Sequence, residues 1–198
     1  ALLRINGLLM KSICVYLGAN PGNSPALTDA VVVLGEQIAR SGYRLVYGGS
    51  SKGLMGLLAK SAMEQGGKVT GVITKQLMTQ EQPLTTLDEL IVVDTMQERK
   101  LLMQQRSGAF IVMPGGLGTF EEAFDTWNAI KIGVLNKPIG FLNIEEYFDG
   151  LFSFITSCVD KGFISSSQAR IPTINADPQL LLNELLMPYS VMETEVLA

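Results

Sequence analysis

Along this chain, short runs rich in valine, isoleucine and leucine alternate with longer stretches whose apolar residues recur at helical spacing. That alternation constrains the fold more than any other feature. The β-rich runs fall at 12–18, 43–49, 68–74, 89–95, 109–116 and 138–143. The first intervening stretch carries Leu27, Ala30, Val31, Leu34 and Ile38 on one helical face, opened by Ser24 and Pro25 and closed by Gly42. Further helices are expected over 53–67, 96–108, 119–133, 143–162 and 177–186, with Asn143 and Asp177 capping the last two. Residues 75–86, "KQLMTQEQPLTT", are polar and irregular and read as a loop. Strands alternating with helices imply an α/β fold: a doubly wound parallel sheet with helices on both faces. Right-handed crossovers line up the loops that follow the strands along one edge of the sheet, and ligands bind there where the strand order reverses. Gly18-Ala19-Asn20, Gly48-Gly49-Ser50 and Gly115-Gly116 end three of the strands and should gather on that edge.

Composition removes whole classes of function. The 198 residues are 47% hydrophobic and fit one domain, expected over 11–187, with 1–10 as an N-terminal extension and 188–198 as a tail. Met10-Lys11 reads as a natural start. The net charge is −4 and no run of Lys or Arg occurs, which argues against a nucleic-acid surface. No apolar stretch approaches the roughly 20 residues of a membrane helix, so a cytoplasmic protein without membrane contact is expected. The chain has no histidine, which excludes a Ser-His-Asp triad, a histidine base and any histidine-ligated metal. Of the two cysteines, Cys14 in "ICVYL" reads as a small buried hydrophobe, and no metal site or cofactor is expected.

Chemistry concentrates in "MPGGLGTFEE", residues 113–122. Gly115, Gly116 and Gly118 can expose backbone N–H groups to an anion, the helix that follows adds its positive end, and the Thr119 hydroxyl can donate as well. Neither a dinucleotide fingerprint nor a Walker A loop fits, and the short cradle suits a nucleoside monophosphate better than a triphosphate. Two readings of Glu122 stand side by side. Thr119-x-x-Glu122 is a capping-box pattern. Alternatively, acids placed beside a bound phosphate cost about 4 kcal/mol at 4 Å with an effective dielectric near 20, a cost that makes sense if one carboxylate faces positive charge developing elsewhere on the ligand. Arg99 and Lys100, at the start of the 96–108 helix, can clamp phosphate or form a solvated mixed-charge face with Glu98. Gly48, Gly49 and Ser50 could approach a ribose or phosphate, or simply make a tight turn. Glu81 reads by default as a solvated loop acid.

Pro114-Gly115-Gly116-Leu117-Gly118-Thr119-Phe120-Glu121-Glu122 matches the PGGxGTxxE signature of the LOG ("Lonely Guy") family. "VYGGSSKGLMG" (46–56), "MQERK" (96–100) and "NKPIGFLNIEEYFDGLF" (136–152) resemble further segments of that family, so the likeness covers roughly 11–165. The resemblance implies a Rossmann-like fold and a homodimer. It implies hydrolysis of the N-glycosidic bond of a cytokinin riboside 5′-monophosphate to free base and ribose 5-phosphate; some members cleave AMP. It also implies that Arg99 and Glu122 are the catalytic pair, and that Glu81, Lys100, Gly115, Gly116, Leu117, Gly118, Thr119, Phe120, Glu121 and Thr126 contact the nucleotide. The older label of lysine decarboxylase finds no support in the residues. The first turn, "LGANPGNSP", departs from the serine-rich turn of many members, as do Ser50 and Lys52 in the second. Molybdenum-cofactor carriers resemble the same fold and glycine turn, but a carrier has no need of a carboxylate beside a scissile bond. The chemistry fits the residues: a carboxylate stabilises the oxocarbenium-like charge on ribose and orients or deprotonates water. Glu122 is assigned that role; acting ionised, it needs little elevation of its pKa. Arg99 could orient Glu122, hold phosphate or stabilise the leaving base.

Overall fold

The computed structural model describes residues 4–5, 8–9 and 11–187. The extension expected over 1–10 is described only as an antiparallel pair, β1 (Arg4–Ile5) with β2 (Leu8–Leu9), and the tail expected over 188–198 lies outside the described residues. Then follow β3 (Ser12–Tyr16), α1 (Pro25–Arg40), β4 (Arg44–Tyr47), α2 (Gly53–Glu64), β5 (Val69–Thr74), α3 (Lys75–Glu81), β6 (Glu89–Val93), α4 (Met96–Arg106) and β7 (Ala109–Val112). The chain continues through α5 (Leu117–Lys131), β8 (Ile139–Leu142), α6 (Asp149–Asp160), α7 (Ser166–Ala169), β9 (Thr173–Asn175) and α8 (Pro178–Leu186).

Seven strands form one sheet in the order β6-β5-β4-β3-β7-β8-β9, every pairing parallel. The central strands are buried on both faces, which is why they read as continuous apolar runs rather than alternating ones. On one face Ile13, Val15 and Leu17 pack against Val31, Leu34 and Ile38 of α1, Leu58 of α2 and Leu181 of α8. On the other, Cys14 and Tyr16 pack with Met103 of α4, Ala123 and Trp127 of α5 and Ile155 of α6. Each fully buried leucine or phenylalanine contributes about 2 kcal/mol. The chain winds outward from β3 to β6, crosses back through α4 to pair β7 with the other side of β3, and winds outward again. The strand order therefore reverses between β3 and β7.

Three local expectations are corrected. Residues 75–81 are helix α3 rather than loop, started by the Thr74 side chain accepting from the Leu77 N–H. The helix expected over 143–162 is broken: Glu145 and Glu146 lie at φ 50° and 59°, a 3₁₀ turn spans Ile144–Glu146, and α6 begins only at Asp149. Asn143 stands at the head of the 3₁₀ turn without capping it; its Oδ1 accepts instead from the N–H of Phe148, the residue before α6, at 2.7 Å. A seventh strand, β9, joins the six expected as a partly exposed edge. Among the described residues no helix is long and apolar enough to cross a membrane.

Candidate active site

At the reversal point two glycine turns leave the sheet side by side, one after β3 and one after β7. A Cβ on Gly115 would strike the Thr119 hydroxyl and lie 2.8 Å from the Gly18 amide nitrogen, so the turns touch because neither residue carries a side chain there. Gly116 is the N-cap of α5 and supplies no side-chain cap. The N–H groups of Leu117, Gly118 and Thr119 thus lack intrahelical acceptors at the positive end of a helix, an arrangement that receives anions. Tyr147, delivered by the left-handed Glu145 and Glu146, donates its hydroxyl to the Gly115 carbonyl at 2.7 Å, braces the turn and lines the cleft beside it.

These turns wall a cleft of about 420 Å³, within the usual size for small-ligand sites. Gly115, Gly116, Gly118 and Thr119 line one end. Leu54, Met55, Leu77 and Met96 supply apolar wall, and Arg99, Glu122 and Glu81 are the charged groups lining it.

Arg99 and Glu122 form a buried ion pair, Nη1 to Oε1 at 2.9 Å, with side chains 4% and 5% exposed. Arg99 is further pinned to the sheet: Nε donates to the Val72 carbonyl at 2.8 Å and Nη2 to the Gly48 carbonyl at 3.3 Å. Burying an ion is costly unless it is paired and hydrogen-bonded, and here the partners are built in. Burial pushes the Glu122 carboxyl up to about 7 against the pull of Arg99, with the Glu121 and Glu81 charges adding to the rise. The expectation of a little-shifted carboxylate is thereby corrected; complete desolvation outweighs one guanidinium.

The structure separates the two readings of each charged residue. α5 starts at Leu117, so Thr119 lies inside the helix and the Glu122 carboxylate bonds Arg99 instead of capping. The solvated face belongs to Glu98, which closes a capping box with Thr95, and not to Arg99 one residue on. Glu81 is half-buried rather than fully solvated, with one carboxylate oxygen, Oε2, buried at the cleft.

Other expected contacts lie elsewhere. Lys100 Nζ pairs with Glu121 at 3.0 Å and Asp125 at 3.6 Å outside the cleft. Leu117 is 88% exposed, and Phe120 packs edge-on against Phe148. Thr126 is fully buried beneath the site against Tyr16 and Gln104. Gly48, Gly49 and Ser50 are buried under it, the Ser50 hydroxyl donating to the Glu81 carbonyl at 3.0 Å. Tyr147 was missed because nothing in "NIEEYF" marks the backbone break that aims it; Met55 and Met96 were missed because they read as ordinary helix positions. Among the described residues no group of three or more Cys, Asp or Glu could hold a metal ion.

An open parallel sheet, a glycine turn with free helix N–H groups at its reversal point and a buried Arg–Glu pair define an α/β protein with a ligand cleft at the carboxyl edge of its sheet. The family model described as "Possible lysine decarboxylase" matches residues 55–185. The cytokinin riboside 5′-monophosphate phosphoribohydrolase LOG2 of Arabidopsis thaliana is 41% identical over 181 residues, covering 90% of this chain and 84% of the relative. A probable enzyme of the same kind from Oryza sativa subsp. japonica, LOGL3, is 40% identical, covering 90% and 86%. The chain belongs to this family, the LOG phosphoribohydrolases. Among solved structures, the molybdenum cofactor binding protein of Rippkaea orientalis shares the fold at TM-score 0.66 and 19% identity over 94% of this chain and 98% of that one. The molybdenum cofactor carrier protein of Chlamydomonas reinhardtii does so at TM-score 0.66 and 23% identity over 89% and 98%.

Proposed function

We propose that the protein hydrolyses the N-glycosidic bond of a nucleoside 5′-monophosphate, releasing free base and ribose 5-phosphate, with Glu122 and Arg99 as catalytic residues. The observation that carries the reading is the buried Arg99–Glu122 pair at the cleft wall beside the glycine cradle. The phosphate takes the N–H groups at the start of α5, and the ribose lies toward Glu122. As the C1′–N bond breaks, its electron pair leaves with the base and positive charge builds on C1′ and the ring oxygen. The Glu122 carboxylate faces that charge, and it accepts a proton from the water whose oxygen bonds C1′; the base takes a proton from solvent. Arg99 orients Glu122. Three of its five N–H groups are committed to protein acceptors, and a guanidinium that never deprotonates is no proton donor.

The named substrates of the relatives, cytokinin riboside 5′-monophosphates, are carried into the proposal. The apolar wall of Leu54, Met55, Leu77 and Met96 supports a substrate whose base bears an apolar substituent. A homodimer and a cytoplasmic location belong to the same reading; exposed Leu101, Ile132 and Val134 and free Cys14 and Cys158 support them. Sedimentation as a monomer would contradict the dimer.

The test is to assay base released from AMP and from isopentenyladenosine monophosphate. Release from neither would sink the hydrolase reading and leave a carrier; release from AMP alone would make the protein an AMP nucleosidase. Glu122→Gln should lower kcat roughly 10³-fold while nucleotide binding by calorimetry persists.

A further inference from the structure

We infer that Thr126 is a positioning residue: its hydroxyl forms a buried node with Gln104 and Tyr16 that locks α5 to α4 and to β3, and so holds Glu122 against Arg99. The two halves of the ion pair are held differently. Arg99 is anchored to the sheet itself through the Val72 and Gly48 carbonyls. Among the described residues the Glu122 carboxylate has one hydrogen-bond partner, Arg99. Where that carboxylate sits therefore depends on where α5 sits.

One helical turn beyond Glu122, the Thr126 hydroxyl meets the Tyr16 hydroxyl at 2.8 Å and receives the Gln104 side-chain amide at 3.2 Å. Tyr16 ends β3 opposite Val112 of β7 and is stacked on Phe110. Gln104 belongs to α4, reaches Asp125 as well at 2.9 Å, and its backbone carbonyl accepts from buried Lys137 at 2.7 Å. One hydroxyl thus joins the strand that leads to the Gly18 turn, the helix bearing Arg99 and the helix bearing Glu122. Two further polar links between the helices, Gln104 with Asp125 and Lys100 with Glu121 and Asp125, end on partly exposed acids and are screened by solvent, so they hold α5 less firmly. Thr126 does not line the cleft, so the hydroxyl has no ligand to meet.

The kinetic part of this inference rests on the proposed hydrolase activity; the spectroscopic part does not. The experiment is a carbon-13 NMR titration of protein labelled at glutamate, the Glu122 signal being identified by its loss in Glu122→Gln. Glu122 is faced by Arg99 and Lys100 of α4, by Glu121 and Glu81, and by the neutral Cys14 and Tyr16 of β3, and all six remain in every node variant. In Thr126→Val the carboxylate drifts from Arg99 and its midpoint rises by about half a unit, roughly threefold in proton affinity. With it kcat falls roughly ten- to hundredfold at unchanged KM. Thr126→Ser restores both. Gln104→Leu, which breaks the node from α4, carries the same titration if Thr126→Val does not fold. A valine variant that titrates like the parent overturns the inference, as does one whose KM rises while kcat holds, since that marks ligand contact. A serine variant that behaves like valine overturns it too. Should the parent protein release no base, the hydrolase reading falls while the titration still decides the node.

Discussion

The turns after β4 and after β7 both run from a strand through paired glycines into a helix, Tyr47-Gly48-Gly49-Ser50 and Pro114-Gly115-Gly116-Leu117. In the first, a Cβ on Gly48 would run into the Arg99 guanidinium and come 3.1 Å from the Met55 sulfur, and Gly49 sits at φ 79° with Ile73 close by. Ser50 is latched to the end of α3. In the second, Gly115 is similarly crowded by Thr119 and Gly18, but a Cβ on Gly116 or Gly118 would meet nothing within 4 Å. A glycine signals close approach to the backbone. After β4 the protein's own arginine makes that approach; after β7 open space is left for a ligand. The first turn backs the Arg99–Glu122 pair, and in the proposed reading the second receives the substrate.

The sharpest way to break this contrast is Gly48→Ala. The Gly48 backbone is not left-handed, so alanine meets no backbone penalty, and its Cβ competes directly with Arg99 Nη2. That guanidinium is pinned by three acceptors and cannot step aside cheaply. Turnover should fall roughly 100-fold and stability by about 2 kcal/mol, as for other overpacked buried sites. Normal kcat with a raised KM would mean that this turn touches substrate.

A smaller effect follows from the charge at the open turn. In the proposed mechanism Glu122 acts ionised, and burial has pushed it up to about 7. Below that value kcat/KM should fall roughly tenfold per pH unit, and above it should level off. For stability the sign is opposite. The folded value lies above the ordinary 4.5, so the contribution of this group is fully present below about 4.5 and lost as pH rises through about 7. Rate profiles and thermal melts from pH 5 to 8 should therefore slope in opposite directions. A rate that stays flat from pH 5 to 8 would remove Glu122 as the ionising base.

What could be read in the sequence, and what could not, follows the same contrast. The sheet and its two helical layers were legible because buried parallel strands and amphipathic helices leave distinct periods. β9 was not: Thr173–Asn175 are three partly exposed residues whose place is set by β8 and not by local pattern. The cradle was legible from its glycines. The state of Arg99 was not, because Glu98-Arg99-Lys100 looks the same whether the middle residue points to water or into the core; the crossover from β6 to β7 decides it. Glu122 was equally ambiguous beside Thr119, and only the start of α5 at Leu117 excludes the cap.

At the open turn, Gly118→Ala should separate folding from binding. The position lies in the first turn of α5, where alanine is the better helix former by up to about 1 kcal/mol. Its methyl would enter the cleft and not the protein. The melting temperature should rise while KM for the nucleotide increases roughly tenfold and kcat changes less. A variant that gains stability and keeps its KM would show that the phosphate does not lie against this part of the turn.

Ser50→Ala is the mildest probe and bears on the closed turn. The Ser50 oxygen accepts from the Lys52 N–H at 3.1 Å and donates to the Glu81 carbonyl, while the neighbouring Ser51 N–H donates to the Gln82 carbonyl at 2.9 Å. Removing one hydroxyl from this latch leaves the other bond in place, so stability should drop by only about 1 kcal/mol. Because Ser50 is fully buried and does not line the cleft, kcat and KM should stay within about twofold of the parent. If KM instead rises sharply at unchanged stability, the hydroxyl meets the nucleotide. The two turns would then share one task, with the departure from the family's usual second turn tuning affinity. If stability falls and KM holds, Ser50 is a fastener for α3, and its distance from the reaction explains why the family's usual residue can be replaced there without disturbing the Arg99–Glu122 pair.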